Sequence, residues 1–293
     1  MYAFIHIPKT GGSTLRHCLR CAFGARHCDV KVAPRLRRQQ PWVNARDLQM
    51  ARRFYPRLDG ICGHRVTCFN GLERAAPDIR YFTFLRDPMR RLVSNYQHHL
   101  RDTGEPGTAE SLRTFLSDPN RRNVMTRMLC GQEDGAAAIE MLERQQVFVG
   151  LTQAFDESLV LLADWLGCPD LLTGYQLLNR AANPCSPAFA SDPALTSLLE
   201  EACREDRRVY DYAVEQIFPR QQRSYRGALD KGVEALRRMN RQGIERQEPV
   251  WAKLKRRYLY KPGIHLWQGQ AAGCPVNRPI VSAEQLGGTP RPT

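Results

Sequence analysis

Short apolar runs alternate with longer segments of helical period over the first two thirds of the chain. Tyr2 to Ile7 is continuously apolar apart from His6 and reads as a buried strand, and Pro8 to Ser13 as a tight turn. Leu15, Cys18, Leu19 and Ala22 then fall at i, i+3, i+4 and i+7, one face of a helix that Gly24 stops. Lys31 to Arg57 is arginine-rich, irregular at first and then helical. Asp59 to Gly63 is a short apolar run ending at Gly63–His64, and Tyr81 to Leu85 is a second strong strand. Asp87 and Pro88 have the residue types of a helix cap and first helical position. Val147 to Leu151 reads as a third buried strand. The helix after it sets Leu159, Leu162, Ala163 and Leu166 on one face and stops at Gly167–Cys168–Pro169. A long last helix is predicted from Ala194 to Phe218. Strands alternating with helices predict an α/β fold, a central parallel sheet with helices on both faces.

Beyond Gly227 the pattern changes. Residues 227–262 read as a basic, partly helical extension of a domain spanning 1–226. Residues 263–293, rich in Gly and Pro, read as a poorly ordered tail. The first seven residues lack the charged and long apolar regions of a signal peptide, and Leu159 to Leu166 is short and carries Asp164. The expectation is a cytoplasmic protein with no transmembrane segment, at most peripheral to a membrane, whose ten cysteines are thiols. Cys18 and Cys21 form a C-x-x-C without a matching second pair, which favours packing over zinc.

The net charge of +13, with most of the 43 basic residues being arginine, adds an anionic partner to the picture. Composition does not choose among nucleotide, acidic glycan, nucleic acid and lipid. The strand-to-helix junction does. Ile7-Pro8-Lys9-Thr10-Gly11-Gly12-Ser13-Thr14 can aim successive backbone N–H groups and the helix dipole at an anion. Lys9 precedes the glycines, so this is not the ATP-binding loop in which Lys immediately precedes Ser/Thr. A second anion motif follows the second strand: Arg86-Asp87-Pro88, with Ser94 two helical turns on. Arg90 and Arg91 read as a solvated helix face. Gly63-His64-Arg65 lies between the motifs, and His64 is a candidate general base, with His98 and His99 as alternatives.

These segments resemble sulfotransferases that use 3′-phosphoadenosine 5′-phosphosulfate (PAPS), and most of all carbohydrate O-sulfotransferases of the heparan sulfate 2-O type. The resemblance runs to about residue 215. It implies a P-loop-like three-layer fold and sulfuryl transfer from PAPS to a carbohydrate hydroxyl. Pro8, Lys9, Thr10, Gly11, Gly12, Ser13 and Thr14 would take the 5′-phosphosulfate, Arg86 and Ser94 the 3′-phosphate. Lys9 and His64 would be catalytic, with no metal expected. Asn123, Thr126, Arg127 and Gly131 match a family segment near donor or acceptor, which makes Asn123 and Arg127 substrate-binding candidates. Gln153 stands where the family pattern usually has Glu. Asp206, on the apolar stripe of the last helix, is expected to pair with a basic loop. An ATP-dependent kinase and a nucleic-acid or polyanion binding module are the rival classes. Neither explains both anion motifs, and no nucleic-acid signature is present.

Overall fold

The computed structural model describes residues 1–32, 41–175 and 193–264. Five parallel strands form one sheet: β1 (Tyr2–Ile5), β2 (His27–Asp29), β3 (Gly60–Gly63), β4 (Arg80–Leu85) and β5 (Phe148–Leu151). Their order across the sheet is β2-β3-β1-β4-β5. In register, Ile5 lies opposite both Gly63 and Thr83, and Leu85 opposite Leu151. From β1 the chain runs out past β3 to β2, whereas from β4 it runs the other way to β5. Connections that diverge from neighbouring strands leave a crevice at their carboxyl ends, here between β1 and β4. Every β1 residue is buried, and the ring of Tyr2 occupies the place that a β-carbon at Gly60 would need, 2.1 Å away.

The helices cover the sheet. The first, α1 (Gly12–Phe23), buries the expected Leu15, Cys18, Leu19 and Ala22. Next come α2 (Ala45–Phe54), α3 (Pro88–Thr103), α4 (Ala109–Ser117), α5 (Val124–Cys130), α6 (Gly135–Arg144) and α7 (Phe155–Leu166). Asp87 caps α3 by accepting from the Arg90 amide at 2.9 Å, with Pro88 at the first position. A second apolar cluster joins Leu92 and Tyr96 of α3 to Phe115 of α4 and to Leu195 and Leu199 further on.

Two expectations change. The strand β2, His-Cys-Asp, was hidden by its polar composition. It is buried because the Tyr2 hydroxyl lies 2.8 Å from His27 Nδ1 and Arg20 donates to Asp29 at 2.8 Å. The long last helix is broken at Cys203, whose non-helical backbone (φ −126°, ψ 21°) separates α8 (Pro193–Ala202) from α9 (Arg204–Tyr212). A wide turn over Ala213–Ile217 then leads into α10 (Phe218–Ser224).

The basic segment folds onto the main core. Val233 and Leu236 of α11 (Leu229–Arg241) belong to that core. So do Tyr260 and Ile264, which follow α12 (Val250–Leu254) through a wide helical turn over Lys255–Tyr260. The tail beyond residue 264 lies outside the described residues. No described helix is long and apolar enough to cross a membrane.

Candidate active site

The loops that leave β1, β3, β4 and β5 meet at the crevice. After β1 the backbone turns sharply: Lys9 has φ 69° and Gly11 φ 81°, both in the left-handed region that a lysine rarely adopts. The turn is held from inside. The buried Thr10 donates its hydroxyl to the Ile7 carbonyl at 2.9 Å, and Thr152, just past β5, donates to the carbonyls of Thr10 (2.8 Å) and Leu85 (2.9 Å). A β-carbon at Gly12 would stand 2.1 Å from the ring of His6, so only glycine lets β1 and α1 approach this closely. Among the described residues no side chain caps the start of α1. Its first amides therefore face the crevice with the positive end of the helix dipole behind them, the arrangement that receives an anion.

Arg86, the first residue past β4, reaches the same turn and donates from Nη1 to the Lys9 carbonyl at 3.1 Å. The two motifs, separated by 77 positions in sequence, are thus in contact. Arg86 also lines a cleft of about 400 Å³ with Asp87, Arg90, Thr152, Gln153 and Tyr210. Burial, then the neighbouring Arg90, lowers the pKa of Arg86. Burial, then Arg101 and Arg86, lowers that of Lys9. Crowded, half-desolvated cations of this kind gain most from an arriving anion. Ser94 lies on α3, partly exposed, and its hydroxyl makes no hydrogen bond among the described residues.

His64 follows β3 immediately. Its Nδ1 lies 2.7 Å from the carbonyl of His6, and its ring is tilted 32° against the His6 ring at 4.1 Å. A carbonyl can only accept, so Nδ1 carries the proton and Nε2 of the neutral ring keeps its lone pair. The residue is exposed on one side and backed by protein on the other. Burial on that side lowers its pKa, the bond to His6 opposes the shift, and Arg16 and Arg65 add to it. His6 itself is buried and driven down to about 2 by burial and then by His64, so it is neutral. The alternatives are engaged elsewhere. His98 lies 3.2 Å from Asp102, and His99 lies 3.7 Å from Glu105 and packs on Phe115.

Other expected site residues form a framework beside the crevice. Asn123 is buried with φ 42°. It accepts from the amides of Glu205 and Asp206 at 3.1 and 3.2 Å and donates to Glu133 at 2.9 Å. Arg127 also holds Glu133, through Nε at 3.0 Å. Asp206 returns the favour to α5. It accepts from the Thr126 amide (2.8 Å), the Thr126 hydroxyl (2.9 Å) and the Met125 amide (3.2 Å). Each helix start is capped by a side chain from the other. The basic partner of Asp206 is not a loop but Arg91, fully buried on α3, with Nε 3.6 Å from the carboxylate. The reading of Arg91 as a solvated face is therefore corrected.

Thr152, Gln153 and Tyr210 were not expected in the cleft. Gln153 donates to the Tyr210 hydroxyl, and Arg207 ties Asp87 at 2.9 Å. The signal available for Thr152 was its position directly after a buried strand. Cys18 and Cys21 are buried free thiols that burial raises to about 12 and about 11. Among the described residues one trio could hold a metal ion: His27, Asp29 and Cys62, with ligand atoms within 4.8 Å of one another. Burial alone would raise Asp29, but His27 and Arg20 outweigh it and hold the carboxyl below its ordinary range. With Arg20 bonded to it and Arg256 at 3.8 Å, the carboxylate is already matched by cations that would repel a metal.

The model of a family described as "Sulfotransferase family" matches residues 2–131. Among solved structures, a sulfotransferase from Alicyclobacillus acidocaldarius aligns at 16% identity with a TM-score of 0.43, covering 72% of this chain and 94% of that one. A comparison with curated proteins finds no match. From β1 through the glycine turn, His64 and Arg86 to Gly131, the chain is similar to the sulfotransferase family.

Proposed function

We propose that the protein transfers the sulfuryl group of PAPS to a hydroxyl, with a carbohydrate as the acceptor class. The observation that carries the reading is the contact of Arg86 with the Lys9 carbonyl, which sets a guanidinium beside the uncapped start of α1 at the crevice. A nucleotide with phosphates at both its 5′ and 3′ positions needs two adjoining cationic pockets. The Pro8–Thr14 turn would hold the 5′-phosphosulfate, and Arg86 with Ser94 the 3′-phosphate, by a guanidinium fork and a hydroxyl.

In the proposed reaction the acceptor oxygen attacks sulfur in line. The new O–S bond forms as the S–O bond to the 5′-phosphate breaks, and the electron pair leaves on 3′-phosphoadenosine 5′-phosphate (PAP). The Lys9 ammonium and the first α1 amides would stabilise that leaving oxygen, while His64 Nε2 takes the acceptor proton. Catalysis would rest on positioning and charge stabilisation, as in phosphoryl transfer. The carbohydrate acceptor is proposed from the resemblance of the Gly63–His64 and Asn123–Arg127 segments to 2-O-type enzymes. Arg127 and Glu133 are the charged pair offered on that side.

Calorimetry tests the nucleotide. PAP should bind, and Arg86→Ala should weaken it on the order of tenfold to a hundredfold, the range for a charge-assisted contact. Adenosine 5′-phosphate, which lacks the 3′-phosphate, should lose far less. An equal loss for both would remove Arg86 from the 3′ site, and no PAP binding by the wild type would overturn the reading.

A further inference from the structure

The last described helix is anchored by one face and apolar on the other. Ala252, Tyr260 and Ile264 point inward. Tyr260 packs edge-on against Phe54 and Tyr55, and Arg256 donates to Glu248 at 3.0 Å. On the outside, Val250 is 71% exposed, Trp251 59%, Leu254 49%, Tyr258 60% and Leu259 60%. Val250, Leu254 and Tyr258 are spaced four apart, so they form a stripe, with Trp251 beside it. Lys253, Arg257 and Lys261, also four apart and exposed, run along its flank. Large side chains left outside a core normally sit singly, and a continuous row of them marks a contact surface.

We infer that this face docks the protein on an anionic lipid surface. The pairing of chemistries selects the partner. An acidic polysaccharide would match the cations but offers no apolar phase for Val250, Trp251 and Leu254. A second copy of this chain would match the apolar stripe but set Lys253, Arg257 and Lys261 against the same three cations. A bilayer with acidic headgroups matches both. Its interface takes aromatic and aliphatic side chains a few ångströms deep and leaves basic groups at the phosphate level. The position suits this task. The residue before the helix, Pro249, lies against Gly24, where a β-carbon would be 3.4 Å away. Gly24 ends α1, whose other end begins at the glycine turn. The helix therefore starts at the end of α1 remote from the glycine turn. This inference does not depend on the reaction proposed above.

Sedimentation with vesicles tests it on the full chain. Vesicles of phosphatidylcholine containing phosphatidylserine should capture the protein, and those of phosphatidylcholine alone should capture far less. Trp251→Ser with Leu254→Ser should weaken capture at least about tenfold through lost apolar burial. Lys253→Gln, Arg257→Gln and Lys261→Gln together should weaken it on the order of a hundredfold. All five positions are exposed, and circular dichroism of both variants establishes that they fold. A wild-type chain that stays in the supernatant with acidic vesicles overturns the inference. So does equal capture of the Trp251/Leu254 variant, or a wild-type dimer that this variant abolishes while vesicles capture neither.

Discussion

His64 combines three properties that a proton acceptor needs, each set by a neighbour. The His6 carbonyl fixes the Nδ1–H tautomer, one-sided burial lowers the pKa, and the exposed side leaves Nε2 accessible. The sign of the pH dependence follows. A base works when neutral, and a pKa below 6.5 makes the neutral ring dominant at pH 7. Turnover should therefore fall on acidification through the His64 pKa, at a lower pH than for a free imidazole. His64→Ala should cost ~10²–10⁴-fold in turnover, leave PAP affinity unchanged and remove the acid limb. An acid limb that persists would transfer the role to His98 or His99. The sequence placed this histidine after an apolar run but could not show its tautomer, because the fixing carbonyl belongs to His6, 58 positions away. Arg91 was illegible for another reason. Arginine is almost never buried unpaired, and the acid that brings it inside lies on another helix.

At the level of elements, α3, α5 and α9 are joined by Arg91, Asn123 and Asp206 and not by apolar packing alone. The Asp206 carboxylate caps α5 and faces a guanidinium with which it shares complete burial. Burial pushes its pKa up, and Arg91 and the Thr126 and Met125 amides oppose that. Asp206→Ala would leave Arg91 buried without a counter-charge and α5 without its cap. The expected loss of stability is ~3–5 kcal/mol, read from the midpoint of a denaturant titration. A loss below ~1 kcal/mol would mean that Arg91 finds water or another acceptor on its own. Elements announced by strong local signals were legible: β1 with its glycine turn, β4 with the Asp87–Pro88 cap, and β5 with α7. The strand β2 was not, because its pairing with β3, its bond to Tyr2 and its contact with Arg20 are all tertiary. The break at Cys203 was missed likewise. The apolar period continues across it, and what ends α8 is Asn123 capping α9 from outside.

For the molecule as a whole, alternation of strands and helices conveyed a parallel sheet but not the strand order. That order, with β1 between β3 and β4, brings Lys9, His64 and Arg86 to one edge. The net charge of +13 was equally visible in the sequence, yet its use depends on where the cations stand. Lys9, Arg86 and Arg90 converge on the crevice, and Arg101 is near enough to depress the pKa of Lys9. A concave site edged by low-dielectric protein focuses such a field outward, so a multiply charged anion should be drawn in faster than diffusion alone allows. Stopped-flow measurement of PAP association should show a rate that falls about tenfold or more from low ionic strength to well above physiological, where screening shortens the field's reach. The dissociation rate should change much less, since the bound phosphates are partly desolvated. Replacing Lys253, Arg257 and Lys261, none of which lines the cleft or is among the charges that shift Lys9, should leave that slope nearly intact, whereas Arg90→Gln should flatten it. An association rate indifferent to salt would mean that the surplus charge does not serve the crevice. A slope carried by Lys253, Arg257 and Lys261 would place the guiding field on the lipid-facing helix instead.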